Sequence, residues 1–543
     1  MKKLNKRWLA VIPAAAAGLL LAACGNSSSS TSSKKQTLNW MASTEVQTLD
    51  VSKVTDATSV DQLNNSLEGL YRLGNNAKVE NALATSTKVS KDGKTWVFTL
   101  RKNAKWSNGD PVTAKDFVYS WRRTVNPKTA SEYAYLFEGI KNAAQITAGK
   151  KPVSSLGIKA DGKYKLTVTL DKRIPYFKLL MGFAIFFPEN ENAVKKYGSK
   201  YGTASKYMVY NGPFVQKGWT GSNLSWKLVK NKNYWDKKHV KLDTINYSVQ
   251  KTPSTSLNLY QSNKLDVTLL DAQGSKNYKG KSGYVIRKKD ATQYLEPNLK
   301  KDAFFKNAKL RQAFSMAINR SALSTTLGGA NLAARTVSPE GISKVNGEDY
   351  TTYAATSATK AVTAYNPTKA KKLFKEAMKE LGKSKLSLTL VSYDDDVSKK
   401  AAEFVQSQLE SNLKGVTVTV QSIPKKSALS RMQSGNFDLA LTGWFADFSD
   451  PISFLDLFTT NNSYNFGHWS NTSYDKLIAQ TKTEANTAKR YALLKQAEDI
   501  LVEQEGVIPL YHADEAWLVR SDVKGVVFNG AGSNYSFKDA YIK

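Results

Sequence analysis

The side chains that could do chemistry in this chain are few and poorly grouped. Among 543 residues there is one cysteine, Cys24, and three scattered histidines, His239, His468 and His512. A lone cysteine makes no internal disulfide, and a zinc site needs several Cys or His ligands together. No metal or other cofactor is therefore expected. The segment GSKNYKGKS, from Gly274 to Ser282, looks like a phosphate-cradling loop, but it has five residues between its glycines where that loop has four. Asp394-Asp395-Asp396 could hold a hard cation. Standing just before VSKKAAEFV, however, these acids are better suited to starting a helix. His512 follows Leu510-Tyr511 and reads as a core or cleft histidine rather than a base. No HExxH or GxSxG pattern occurs, and the chain is read as a non-enzyme. One acid has a different setting. In Gly443-Trp444-Phe445-Ala446-Asp447-Phe448, Asp447 stands at a strand end among aromatic residues.

Cys24 takes its meaning from its neighbours. Lys2, Lys3, Lys6 and Arg7 precede an apolar run from Trp8 to Ala23 that is interrupted by Pro13 and Gly18. That layout is a secretory signal peptide, residues 1–23, rather than a membrane span of about 20 residues. Its end, Leu21-Ala22-Ala23-Cys24, resembles the bacterial lipobox, which implies cleavage before Cys24 and lipid on that residue. Residues 24–37 then form the lipidated cysteine and a Ser-rich tether. The expected location is the extracellular face of the cell membrane, lipid-anchored, as on a Gram-positive surface.

The formal charge of +32 would ordinarily raise nucleic acid as a partner. The export signal and the even spread of lysines argue against it, and no nucleic acid is expected. A basic exterior would still be drawn to anionic walls and lipids. The length suits two or three lobes. DQLNNSLEGLYRL places Leu63, Leu67 and Leu70 at helical spacing, and Asp92-Gly93 and Asp161-Gly162 each precede alternating strands. Residues 211–287 read as β-rich. Further on, AFFKNAKLRQAFSMAINRSAL reads as one strong helix, and Asn366-Pro367 starts another that Gly382 ends. LSLTLVS, AAEFVQSQLESNL, GVTVTV, SALSRMQSGN and FDLALTGW then alternate strand and helix, which predicts a largely parallel sheet. A helix over 484–505 and a strand-like tail follow.

Several segments together resemble one family, the extracellular substrate-binding proteins of oligopeptide and dipeptide ABC transporters. They are residues 67–121, with KWSNGDPVTA, and IPYFKLL, NGPF, NKNYWD, FKNAKLRQAFSMAINR and GWFADFSDPISFL. The resemblance runs from about residue 38 to the end. It implies an α/β fold of two lobes, periplasmic-binding-protein-like (type II) with an extra inserted subdomain, and a ligand cleft between lobes joined by a two-strand hinge. Lobe I would comprise 38–59, 184–287 and 514–543, the inserted subdomain 60–183, and lobe II 288–513. It also implies a monomer that binds oligopeptides by backbone and terminal-amine contacts and delivers them to the transmembrane subunits of an ABC permease.

The resemblance places the amine on Asp447. It places Glu45, Val46 and Gln47 in a loop whose backbone meets ligand, Tyr133 on the cleft wall, and Trp444, Phe445 and Tyr511 around the pocket. Some oligopeptide binders carry a Trp and arginines upstream of this acid. The nearby positions here are Lys425, Met432 and Leu441, with Arg431 adjacent, so recognition of a peptide C-terminus is left open. Also open are another ligand in the same fold (peptide pheromone, nickel chelate, haem or sugar oligomer) and a surface adhesin using the positive charge.

Overall fold

The computed structural model describes residues 35–543. Cys24, the signal peptide and most of the tether lie outside the described residues. Among the described residues no helix is long and apolar enough to cross a membrane.

The first strand, Thr37–Ala42, does not pair with its sequence neighbours. It lies parallel to Thr244–Val249, which continues antiparallel to Ser225–Lys230 and then Phe214–Lys217. Trp40 points from this sheet into the core, where Tyr535 and Phe537 of the tail meet it edge-on at 4.9 and 4.8 Å. The C-terminus is fastened to the same place, since Gln36 Nε2 donates to Ile542 O at 2.9 Å.

A second sheet is antiparallel throughout, in the order Ala84–Val89, Thr95–Leu100, Lys165–Thr169, Ile158–Ala160. Its two hairpins turn at Gly93 and Gly162, both with positive φ, as the Asp-Gly pairs predict. The helix Ala114–Val125 begins with a Thr113/Asp116 capping box and buries Phe117, Trp121 and Val125.

The largest sheet has six strands, in the order Leu332–Ala333, Ile508–His512, Ala291–Pro297, Leu439–Phe445, Leu386–Tyr393, Val416–Ile423. It is not largely parallel. Leu386–Tyr393 is parallel to Val416–Ile423 and to Leu439–Phe445, where helices supply the crossovers. Ala291–Pro297 and Ile508–His512 are antiparallel to their neighbours, because they bring the chain into this body and take it out again. The connections at 288–290 and 513–514 run side by side toward a small sheet of Val267–Leu270, Glu515–Val519 and Tyr284–Arg287. Ala513 N donates to Ala291 O at 2.9 Å, and Lys289 N to Asp514 Oδ1 at 3.0 Å.

Two helices are shorter than their periodicity predicts. The expected long helix after Ala303 is three pieces, a 3₁₀ turn Ala303–Lys306 and the helices Ala308–Ala317 and Arg320–Leu327. Asn307 and Asn319 each cap the start of a new helix, accepting from Leu310 N and Ala322 N. The other, Ala57–Ser66, ends before Leu67 and Leu70. Its end is captured from far away: Asn211 Oδ1 accepts from Glu68 N at 2.9 Å, its Nδ2 donates to Glu68 O at 3.0 Å, and Gly212 N donates to Ser66 O at 2.9 Å. A Cβ at Gly212 would stand 2.6 Å from Ser66 C and 2.7 Å from Leu67 N. Here only glycine permits the approach.

Gly212→Ala should therefore force these two backbones apart and lower the unfolding free energy by roughly 1–3 kcal/mol. Urea denaturation would report this as an earlier midpoint; an unmoved midpoint would show that the two segments separate without cost.

Candidate functional site

A cavity of about 230 Å³ lies between the six-stranded sheet and residues on the other side of the molecule. From the sheet side it is lined by Gln293, Tyr294, Tyr393, Thr442, Gly443, Trp444, Phe445 and Asp447, and from the opposite side by Thr55, Asp56, Ala57, Val60, Glu132, Tyr133 and Phe183. Gly443 faces Gln293 in register across the strands, and a Cβ there would run into the Gln293 amide, 2.2 Å away. A side chain at 443 would displace Gln293 from the wall.

Asp447 stands two residues past the end of Leu439–Phe445 and is 3% exposed. Its backbone is fixed on several sides. Ala446 N donates to Asp290 O at 2.8 Å and Gly532 N to Ala446 O at 2.7 Å, so the connection at 288–290 and the tail both hold the preceding residue. Asp447 N donates to Ser453 Oγ at 2.8 Å. The loop beyond is pinned by a buried two-point ion pair from Arg490 to Asp450, at 2.7 and 2.8 Å. Such planar pairing orients as well as attracts.

Only one oxygen of the Asp447 carboxyl has a hydrogen-bond partner. Tyr133 Oη donates to Oδ1 at 2.9 Å, whereas Oδ2 is buried without a hydrogen-bond partner. Among the described residues no Lys, Arg or His lies within ion-pair distance of it. Burial pushes the carboxyl up to about 8, and the Tyr133 hydrogen bond offsets only part of this. The surroundings are aromatic. Trp444 and Tyr464 meet at 4.6 Å, Tyr133 and Tyr464 at 5.8 Å, and Tyr133 and Phe183 at 5.6 Å. Trp444 Nε1 is also buried without a partner. A buried carboxyl with a spare oxygen, walled by π-faces, has the chemistry to receive a cationic group that brings its own hydrogens.

Asp447, Tyr133, Trp444 and Phe445 thus meet at one cavity. The other residues that the sequence suggested lie elsewhere. Glu45 is at the surface, ion-paired with Lys251 at 2.9 Å. Val46 is in the core, and Gln47 N donates to Ser59 Oγ at 2.9 Å. The cavity wall on that side is built instead from Thr55, Asp56, Ala57 and Val60, a few residues later. Tyr511 is buried within its strand, opposite Gln293 and Ala333, and does not line the cavity. His512 is a core residue: Glu340 N donates to Nδ1 at 3.3 Å, and burial lowers it to about 4. Asp395 caps the helix Asp396–Asn412, accepting from Ser398 N. Among the described residues no cluster of His, Cys, Asp and Glu could hold a metal ion.

The profile of the bacterial extracellular solute-binding proteins, family 5 (middle), matches residues 78–466. The chain belongs to this family. The dipeptide-binding protein of Lactococcus lactis subsp. cremoris is 40% identical over 526 residues, covering 94% of this chain and 95% of its own length. Listeria monocytogenes OppA bound to peptide superposes with a TM-score of 0.89 at 38% identity, covering 94% of this chain and 100% of that one. The substrate-binding domain of an oligopeptide ABC transporter from Bacillus anthracis gives 0.89 at 39% identity, covering 94% and 99%. The fold of this family 5 protein is thus the two-lobed, type II binding-protein arrangement. Family 5 proteins are solute-binding receptors.

Because the folded value for Asp447 lies above the ordinary 3.8, the folded chain holds a proton that the unfolded chain has released. The stability from this group is complete below about 3.8 and is lost as pH rises through about 8. Asp447→Asn removes the titration. The difference in unfolding free energy between wild type and variant, measured in urea from pH 5 to pH 9, should swing against the wild type as pH rises. A difference independent of pH would place the carboxyl in water.

Proposed function

We propose that this protein is an extracellular peptide receptor that delivers its ligand to an ABC permease. The observation that carries the reading is the buried Asp447 carboxyl, with one oxygen bound by Tyr133 and the other free, facing an aromatic-walled cavity between lobes. A peptide's α-ammonium is a cation with three donors, present at the same place in every free peptide. Holding that group, rather than a particular side chain, lets one site accept many sequences. The remaining length of an extended peptide has strand backbone beside it at Thr442 to Phe445, where the pairing of Leu439–Phe445 with Leu386–Tyr393 has ended, the kind of edge that strand addition uses. The names of the Lactococcus, Listeria and Bacillus proteins support peptides over chelates, haem or sugars.

Several finer parts belong to the same proposal. The protein acts as a non-enzymatic monomer, anchored to the outer face of the membrane by lipid on Cys24, and the Ser-rich tether lets the folded body reach the permease. Lobe I is 38–59, 184–287 and 514–543, with 60–183 inserted and 288–513 as lobe II. The pairing of Thr37–Ala42 with Thr244–Val249 and the packing of the tail on Trp40 support that division.

Native mass spectrometry of the purified protein, before and after gentle denaturation, tests the ligand class. A heterogeneous ladder of released peptides is expected; a single non-peptide mass would overturn the reading. In titrations with a free-amine tripeptide, Asp447→Asn should weaken binding about 10- to 100-fold, the weight of a charge-assisted hydrogen bond. N-acetylation of the peptide should cost the wild type as much and the variant little. Equal binding of both peptides by the wild type would take Asp447 out of ligand recognition.

A further inference from the structure

Five acidic or basic side chains line the cavity: Asp56, Glu132, Lys289, Lys425 and Asp447. Asp447 is the cation receptor proposed above. Glu132 accepts from Gln433 Nε2 at 2.6 Å. Lys289 is held by Glu515 at 2.8 Å, and the Oδ1 of Asp56 accepts from Ser59 N at 2.9 Å as the cap of Ala57–Ser66.

Lys425 is different. Among the described residues no carboxylate lies within ion-pair distance of it, and it makes no hydrogen bond; its ammonium stands 5.7 Å from the Tyr393 ring. It is the first residue of the helix Lys425–Gln433, which follows Pro424 and has no side-chain cap. The unpaired N–H groups of that first turn add to the positive potential of the ammonium. Its charge acts on Asp56, across the cavity and beyond ion-pair distance. The cavity therefore has two poles, an uncompensated carboxyl at Asp447 and an uncompensated ammonium at Lys425. A ligand that satisfies both is a zwitterion.

Building on the peptide-receptor reading, we propose that Lys425 is a specificity-determining residue that receives a carboxylate of the bound peptide. The cavity then favours peptides that carry, beyond the amino-terminal residue, either an acidic side chain or, when short, the C-terminal carboxylate. Both sources present the same group to the same ammonium.

The test is titration calorimetry on protein freed of bound ligand by unfolding and refolding. Four probes are used: Ala-Ala-Ala, its C-terminal amide, and the amides of Ala-Glu-Ala and Ala-Gln-Ala. The wild type should bind one or both carboxylate-bearing probes at least 10-fold more tightly than the matched neutral probe. Preference for the free acid of Ala-Ala-Ala assigns the C-terminus, and preference for the Glu amide over the Gln amide assigns the side chain. Lys425→Gln should abolish the preference and leave the neutral probes within about two-fold. If the wild type shows no preference, or the variant keeps it, the assignment is wrong. If the variant weakens all four probes equally, Lys425 serves lobe closure through Asp56 and not ligand selection. Failure of the wild type to bind any probe, with intact folding by circular dichroism, sinks the peptide reading itself.

Discussion

A carboxyl group in a dry, cation-free site is an unfavourable thing to build, and the arrangement of this protein follows from how Asp447 is kept there. Removing a carboxylate from water without a counter-charge costs several kcal/mol, so the group gives up its charge instead and remains protonated to about pH 8. Even the neutral form needs its backbone fixed, or the loop would swing the carboxyl into solvent. The fixing groups come from parts of the chain far apart in sequence. They are Asp290 in the connection at 288–290, Gly532 in the tail, Ser453 in the next turn, and the Asp450–Arg490 pair that ties this turn to the helix Thr487–Glu503. The tail's long return to Trp40 and the strand Thr37–Ala42 is part of the same construction, because it brings Gly530 to that connection and Gly532 to Ala446.

The placement also explains why the site depends on closure. Tyr133 and Asp447 are 314 positions apart and lie on opposite sides of the cavity. Their hydrogen bond, the Glu132–Gln433 contact and the stacking of Tyr176 on Phe448 at 5.2 Å all cross between these sides. Each is available only when the sides have come together. The aromatic walls exclude water from the carboxyl in that state, and exclusion of water is what makes a hydrogen bond to a charged group strong. On the proposed reading, recognition of the ligand's charge and closure of the cavity are one process.

Much of this was legible in the sequence, for identifiable reasons. Trp444, Phe445 and Asp447 lie in one short run, and a run keeps its order at a strand end whatever the rest of the chain does. Turn chemistry was equally local: Asp92-Gly93 and Asp161-Gly162 turn where they should. What escaped depended on distant partners. The helix Ala57–Ser66 stops short of its leucines because Asn211 and Gly212, near residue 200, take the backbone groups that would have extended it. The periodicity from Ala303 to Leu327 hides two asparagine caps, since both asparagines also fit a polar helix face. Gln293, Tyr393 and Thr442 reach the cavity only through strand pairing in the six-stranded sheet, and no local signal marks which residue of a buried strand faces a ligand. Glu45 to Gln47 resembled a ligand loop, whereas the cavity is lined on that side by Thr55, Asp56, Ala57 and Val60, and the Gln47 amide is bound by Ser59 Oγ.

The proton on Asp447 has a consequence for how the lobes respond to ligand. A receptor with a bare buried anion would resist closing when empty, because closure would strip water from an unpaired charge. With the proton in place the closed site holds a neutral carboxyl hydrogen-bonded to Tyr133, which spares closure that cost. A ligand ammonium does more than neutralise the site, as the proton already did. It supplies donors to both oxygens, including the Oδ2 left without a partner. The free-energy difference between these two ways of satisfying one carboxyl is what a ligand can contribute to closure, since only a differential interaction shifts an equilibrium between states. On the proposed role of Asp447, a single protonatable acid in an aromatic wall would set both which ligands are held and how strongly they close the lobes.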